Sequence, residues 1–550
     1  LKDEELEFDS NVEKAYYYNF ISPIEKLEGN SLKVSDFDPR GFVPTNTTRF
    51  EKRGIANILP CWKSEHCIQC NMCSFVCPHA AIRPHLVKKE DILSAPDTLQ
   101  SLDAIGEPNY KFVMQVSPMD CTGCGVCASV CPAKEKALVM SDFEDTVDYN
   151  KANYEYMETI KSYKSAIFKP NTVKGSQFNK PYFEFSGACA GCGETPYIKV
   201  ISQLFGDRMV IANATGCSSI YGGSAPTCPY AKDENGRGIA WANSLFEDNA
   251  EFGYGIKLGL DYQKKLVVDK LQKMREMHEF DSIRDIIDTY LDSSDATHLR
   301  DISTDLICNL QNINCTSDEA NDAKQFVLDH KNNLTRESMW IIGGDGWAYD
   351  IGYGGLDHIL ASGENVNILV LDTEVYSNTG GQASKSTPIG AIAKFASTGK
   401  RTNKKDLAIM ATTYKNVYVA KVAMGADMNQ FMKAITEAEK YNGVSLILAY
   451  APCINHGIKM ENSQLEEKRA VEAGYWQLFR YNPERILNNE NPFILDSKQP
   501  SLDYNDFIMG ENRYKGLQAM NADLAEKLFA ENRKNAMETY NYYKKLSEEK

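Results

Sequence analysis

Two copies of one cysteine run constrain this chain more than any other feature. They read Cys67-x-x-Cys70-x-x-Cys73-x-x-x-Cys77-Pro78 and Cys121-x-x-Cys124-x-x-Cys127-x-x-x-Cys131-Pro132. Thiolates at this spacing hold three corners of a [4Fe–4S] cube, while the fourth, set before a proline, crosses to the other cube. The expected ligand sets are therefore Cys67, Cys70, Cys73 and Cys131 for one cluster, and Cys121, Cys124, Cys127 and Cys77 for the other. Two zinc knuckles, the competing use of such pairs, would leave the third and fourth cysteine of each run unexplained. Ile68, Val76, Ala81, Ile82, Val126, Val130 and Ala137 are placed to wall the cubes off from water, which helps to set potential.

Sixteen cysteines in short clustered spacings point to metal or redox use in a reducing compartment, so disulfides are not expected. The first residues are acidic and aromatic, without a basic stretch followed by an apolar one, so no secretory signal is expected; a cytoplasmic place, or a reducing organelle, is. A start at Leu1 rather than Met reads as the C-terminal part of a longer polypeptide. With 75 acidic against 60 basic residues the net charge is −15, which argues against nucleic acid and anionic membrane as main partners. The longest apolar runs, such as Val366 to Leu371, are of strand length rather than membrane-spanning length.

A length of 550 residues favours two to four domains. Residues 1–50, with Tyr16-Tyr17-Tyr18 and scattered prolines, read as a connecting arm, and 51–165 as a ferredoxin-like α+β domain with two clusters. Residues 166–550 read as a doubly wound α/β domain with a mainly parallel sheet, because short apolar runs alternate there with helical patterns. The strands are expected at Met209 to Ala212, Met339 to Ile342, Val366 to Leu371, Val417 to Val422 and Val444 to Tyr450. Helices are expected at Tyr349 to Ala361 and Asp427 to Tyr441. A charged helical insertion, about 255–332, carries Leu258, Leu266, Val267 and Leu271 at recurring positions and reads as a surface excursion. A terminal helix is expected over about Leu517 to Leu546. Cys61, Cys228, Cys308 and Cys315 match no motif and read as buried structural thiols.

The stretch Ser186-Gly-Ala-Cys189-Ala-Gly-Cys192-Gly-Glu194 holds another Cys-x-x-Cys pair, which on its residues alone fits a zinc knuckle, a redox dithiol or half of an iron–sulfur site. Two strand ends follow: Gly343-Gly344-Asp345-Gly346-Trp347, and Leu371-Asp372-Thr373-Glu374-Val375-Tyr376-Ser377-Asn378-Thr379-Gly380-Gly381-Gln382. Alone, the Gly-Asp-Gly is as well explained by a capped strand-to-helix turn. With the second strand end beside it, Asp345 supplies a carboxylate, Thr373 a hydroxyl and Val375 a main-chain carbonyl, the oxygen ligands Mg²⁺ needs beside a diphosphate. The adjoining helix N-terminus can take diphosphate oxygens on its free N–H groups.

These stretches, together with Glu51-Lys52-Arg53-Gly54-Ile55-Ala56, Asn213 to Gly223, Trp241 to Asn249 and Ala451-Pro452-Cys453-Ile454-Asn455-His456-Gly457, resemble the thiamine-diphosphate-dependent 2-oxoacid oxidoreductases. The cysteine region by itself resembles bacterial dicluster ferredoxins. Thr373 stands where common thiamine enzymes carry Asn, and it agrees with this family. The resemblance implies thiamine diphosphate, Mg²⁺ and a third [4Fe–4S] cluster, the last held by Cys189, Cys192, Cys217 and Cys453. It implies that Glu194 contacts thiamine, that Cys217, Gly344, Gly346, Trp347, Glu374, Tyr376 and Ser377 border it, and that Asn378 faces the reacting oxoacid. On its residues alone, Asn378 equally suits a turn. The implied reaction converts pyruvate and coenzyme A to acetyl-CoA and CO₂, with electrons leaving singly through three clusters to ferredoxin or flavodoxin. The implied partners are N-terminal domains of the same enzyme and a second copy in a homodimer. Two other readings are the electron-generating part of a pyruvate:NADP⁺ fusion, and a non-enzymatic electron-transfer module whose α/β half only docks.

Overall fold

Alternation of buried and half-exposed residues makes strands of the segments between and around the cysteine runs, and a computed structural model shows how they pair. It describes residues 6, 8, 10–163, 167–223, 226–233, 236–293, 296–335 and 337–549. Parts of the expected arm (1–5, 7, 9), the 164–165 end of the expected ferredoxin-like domain and 294–295 of the insertion lie outside the described residues.

β1 (Ile58–Trp62) pairs antiparallel with β5 (Leu138–Asp142) across the two runs. Between the runs, β2 (Ile82–Lys88), β3 (Leu102–Asp103) and β4 (Tyr110–Val116) form a small antiparallel sheet in the order β2-β4-β3. β2 begins with Ile82, Pro84 and Leu86 buried and Arg83 and His85 between them half-buried, the period of two that a one-sided strand requires. Each run enters a short helix, Met72–Phe75 or Val126–Ser129, through a left-handed residue: Asn71 with φ 62° and Gly125 with φ 80°. Val76, Ala81, Ile82, Val126 and Ala137 are buried as expected, but Ile68 is 53% exposed. The chain reverses at Gln69 through a φ of 55° and leaves that side chain outside.

The larger part is built on an eight-stranded sheet. Its strands are β6 (Met209–Ala214), β7 (Ala240–Ser244), β8 (Ser338–Gly344), β9 (Asn367–Asp372), β10 (Tyr418–Val422), β11 (Ser445–Tyr450), β12 (Phe479–Tyr481) and β13 (Phe493–Leu495). They lie in the order β13-β12-β10-β11-β9-β8-β6-β7. The pairs from β7 to β10 are parallel, and β12 and β13 add an antiparallel edge. Successive residues serve two cores: Ala212, Ile341, Ile368 and Leu446 on one face, Ile211, Ile342, Leu369 and Ile447 on the other. Near-continuous apolar runs follow from burial on both faces. β6, β8 and β9 end side by side at Ala214, Gly344 and Asp372, and that rim carries the site.

Several expectations need correction. The helix expected at Tyr349 starts earlier, as a π-type turn over Gly346–Ile351 followed by a helix over Tyr353–Ser362. The insertion, read as a surface excursion, carries a core of its own, formed by Val267, Leu271, Phe280, Ile287, Leu306, Leu310 and Val327, whereas Leu258 is 43% exposed. The terminal helix breaks at Asn521, whose side chain caps the longer segment Ala522–Glu548. Cys61 and Cys228 are buried, but Cys308 is exposed and Cys315 only partly buried. Cys308 falls between the inward positions Leu306 and Leu310 on its helix, so the 3.6-residue period turns it outward. Among the described residues no helix is long and apolar enough to cross a membrane.

Candidate functional site

The two cysteine runs fold against one another, so that Cys131 lies near Cys67, Cys70 and Cys73, and Cys77 near Cys121, Cys124 and Cys127, with Cys73 also near Cys127. Burial raises the Cys73 thiol well above the ordinary range, and Cys70, Cys67 and Cys131 add repulsion. Burial likewise pushes Cys124 up to about 11, with Cys77 of the other run adding to it. Cys127 is raised by burial and then by Cys124, Cys121 and Cys77. Cys189, Cys192, Cys217 and Cys453 come together from three distant segments: Cys217 faces Cys192 and Cys453, and Cys453 faces Cys189. Each cage has a sulfur accepting the N–H two residues ahead at 3.4 Å, from Gln69 to Cys67, Gly123 to Cys121 and Glu194 to Cys192. Burial disfavours the thiolate at Cys73, Cys121, Cys124, Cys127, Cys192, Cys217 and Cys453, and the positive charge of an iron–sulfur core would favour it, whereas Cys189 is exposed. Among the described residues no three His, Cys, Asp or Glu side chains are grouped for a single ion. Sets of four sulfurs are the donor chemistry that an iron–sulfur cluster takes.

Beside the third cage, at the ends of β6, β8 and β9, lies a pocket. Glu194, Cys217, Gly344, Asp345, Gly346, Trp347, Thr373, Val375, Tyr376, Ser377 and Asn378 line it, with Thr215, Gly216, Ser218, Phe246 and Thr379. Thr373 Oγ1 sits 3.0 Å from Asp345 Oδ1 and 3.0 Å from Val375 O. One hydroxyl proton thus faces two acceptors, and the three oxygens converge as a hard cation requires. Ser384 Oγ donates to the other Asp345 oxygen at 2.5 Å. Burial, then repulsion from Asp372, lifts Asp345 to about 8, a carboxylate short of positive charge. Burial brings Glu194 to about 7, tempered by the Tyr221 hydroxyl donating to it at 2.9 Å. A side chain at position 346 would strike the Tyr376 ring, so the glycine permits that close approach. Cys217 Sγ lies 3.2 Å from Ser377 Oγ, so one residue belongs to both the cage and the pocket.

Glu374 does not join this group. Its side chain turns away to Lys404 Nζ at 2.9 Å, Arg513 Nη2 at 2.6 Å and Tyr475 Oη at 2.5 Å. Burial would raise it, yet Lys404 and Arg513 hold it down to about 2. His456 is buried with Nε2 2.8 Å from Thr373 O, and burial, then Arg513, pushes it down to about 3, the environment of a structural histidine. Sequence reasoning assigned no role to Tyr221, Phe246, Asp372 or Ser384. The first three fall inside stretches already singled out, whereas Ser384 lies beyond them and carries no local signal.

A family model described as a 4Fe-4S dicluster domain matches residues 66–134, and one described as the thiamine pyrophosphate enzyme C-terminal TPP binding domain matches 328–449. A third, EKR, a domain of unknown function, matches 5–56. Fold, site and models together define an iron–sulfur, thiamine-diphosphate type of oxidoreductase chain. Pyruvate:ferredoxin oxidoreductase of Moorella thermoacetica is 55% identical over 98% of this chain and 46% of its own length. Pyruvate-flavodoxin oxidoreductase of Klebsiella pneumoniae is 49% identical over 96% and 45%. Pyruvate dehydrogenase [NADP(+)] of Cryptosporidium parvum is 45% identical over 92% and 28%. Over nearly its whole length the chain is similar to pyruvate:ferredoxin and pyruvate-flavodoxin oxidoreductases, and it spans about half the length, or less, of these relatives.

Proposed function

We propose that the chain is the electron-wiring, thiamine-binding part of an enzyme that decarboxylates pyruvate oxidatively, forms acetyl-CoA from coenzyme A, and passes electrons to ferredoxin or flavodoxin. On this reading 1–50 is an arm, 51–165 carries two clusters, and 166–550 is a doubly wound thiamine domain with a third. The observation that carries it is the shared wall: Cys217 stands in the third cage while touching Ser377 in the oxygen-lined pocket. A non-enzymatic docking module has no use for that juxtaposition.

Asp345, Thr373 and Val375 would hold Mg²⁺ and through it the diphosphate. Bound thiamine supplies the electron sink that decarboxylation of a 2-oxoacid needs. Glu194, close to half-protonated at neutral pH, can donate or accept a hydrogen bond toward the cofactor, and Tyr221 fixes its orientation. Asn378 lies on the pocket wall, where its amide can orient the oxoacid. Trp347, 2% exposed, closes the floor against water. Preceding domains of the same polypeptide would complete the substrate and coenzyme A sites, and the working unit is a homodimer. The fused NADP(+) relative shares this half, so that alternative differs only in where the electrons go.

Full-length enzyme purified without oxygen should hold about twelve iron and twelve sulfide per chain, the content of three [4Fe–4S] clusters. In Cys217→Ala, calorimetry should show thiamine diphosphate binding retained, while EPR shows no pyruvate-driven reduction of the two ferredoxin-like clusters. Unchanged single-turnover reduction would reject the electron route; absence of Mg²⁺-dependent thiamine binding to the parent enzyme would favour the docking module.

A further inference from the structure

The segment matched as a domain of unknown function runs into Glu51-Lys52-Arg53-Gly54, a knot where three parts of the chain meet. Lys52 Nζ is 2.6 Å from Asp120 Oδ2, beside Cys121 of the second ferredoxin-like cage, and Ser117 Oγ donates to the same oxygen at 2.6 Å. Arg53 Nη1 donates to Ser186 O at 3.3 Å, three residues ahead of Cys189 of the third cage, while its Nη2 pairs with Glu51. Glu51 also accepts a hydrogen bond from Thr227 Oγ1. Lys52 has φ 39° and Gly54 φ 56°, so the backbone coils and successive side chains reach different neighbours. Ser186 O meets His79 Nδ1 as well, at 3.1 Å, and His79 follows Cys77-Pro78.

What this knot fastens is a contact between cages. Gly191, between Cys189 and Cys192 of the third cage, has its N–H near Cys124 of the second, where it favours the thiolate, and next to it Ser129 Oγ donates to Asn462 Oδ1 at 3.4 Å. Gly191 has φ 75°, and a side chain there would strike Met460, so the loop is held in one shape at that point. Around the knot Glu51 pairs with Arg53 and Asp120 with Lys52, and Glu25 lies close enough to Arg53 for the two to attract. Arg53 stays charged at any working pH, and its planar, rigid fork serves Glu51 through Nη2 and Ser186 O through Nη1.

We propose that Glu51-Lys52-Arg53 is the clip that holds the third cage against the second and fixes the Gly191–Cys124 contact between them. The proposal rests on the cluster reading above. Clusters held in these cages would pass single electrons between them, and the part of Glu51, Lys52 and Arg53 is to hold the distance between the two sets of cysteines.

The test uses the full-length enzyme, with iron and sulfide counted, spin–spin interaction between reduced clusters read by EPR, and pyruvate-driven cluster reduction followed by freeze-quench. Arg53→Met should keep all three clusters and the coupling within the ferredoxin-like pair. The coupling between third and second clusters should weaken, and reduction of the pair should slow roughly tenfold or more, the scale on which small misplacements act. Lys52→Gln, which frees only the Asp120 side, should show the same change in smaller degree. It decides the matter if Arg53→Met loses iron. Parental coupling and rate in cluster-replete variants would overturn the clip. A parent enzyme short of three clusters would overturn the reading beneath it, and the clip with it.

Discussion

Thr373 and Glu374 are neighbours, both fully buried, and they face opposite kinds of polar surroundings. Around Glu374 every charge meets its opposite: Lys404 bridges Asp372 and Glu374 at 2.9 Å, and Arg513 joins Glu374 and Glu511 at 2.6 Å. Around Thr373 three oxygens share one hydroxyl proton, and the one carboxylate among them is lifted to about 8. Burial costs are similar in the two places, so the difference lies in compensation. A closed network is architecture. An open one, tolerated in a packed interior, is where a ligand completes the structure.

The sharpest break of this contrast is Glu374→Ala, which removes the buried acceptor of three hydrogen bonds, from Lys404, Arg513 and Tyr475, and leaves Lys404 only Asp372 and Arg513 only Glu511. It should lower stability by about 3–5 kcal/mol, read by urea unfolding of the full-length enzyme. A loss below about 1 kcal/mol would mean the network does not anchor the fold. Next in size, Asp345→Ala should weaken Mg²⁺-dependent thiamine diphosphate binding about a hundredfold, or about 2.7 kcal/mol, by calorimetry. Its stability should hold or rise, because repulsion with Asp372 is removed; a collapse like that of Glu374→Ala would erase the distinction. Between the extremes stands Lys421, buried against the Trp476 ring at 4.4 Å with no carboxylate partner at ion-pair distance among the described residues. Burial pulls its amine down from 10.5 to about 8. Between those values the unfolded chain binds the extra proton, so stability rises with pH across that window. Lys421→Met should therefore gain about 1–2 kcal/mol at pH 7, net of the lost ring contact, and the gain should fade as pH rises from 8 toward 10.5.

Much of the site was legible because its ligands are local. Three of the four sulfurs for each ferredoxin-like cage lie within seven residues, and a proline flags the fourth. Asp345, Thr373 and Val375 could be found because apolar strands pointed at them, and β6, β8, β9, β10 and β11 appear within a few residues of expectation. β12 and β13, at three residues each, are too short to show a period, and half-exposed β7 shows no apolar run. The inward turn of Glu374 was illegible for another reason: Lys404 and Arg513 lie 30 and 139 residues away, and nothing near Glu374 announces them. The insertion's own core was not legible because a helical pattern with one apolar stripe looks alike whether the stripe meets the main body or another part of itself.

Glu374 has a φ of 60°, a left-handed turn that a residue with a side chain resists. That twist is what swings the Thr373 hydroxyl and the Val375 carbonyl to one side and the Glu374 carboxylate to the other. In mechanical terms it is a wound spring, and Lys404 with Arg513 is the latch that keeps it wound. Glycine at this position would relax the spring and release the latch in one change, so the two oxygens that converge on Asp345 depend on a carboxylate that never points toward them.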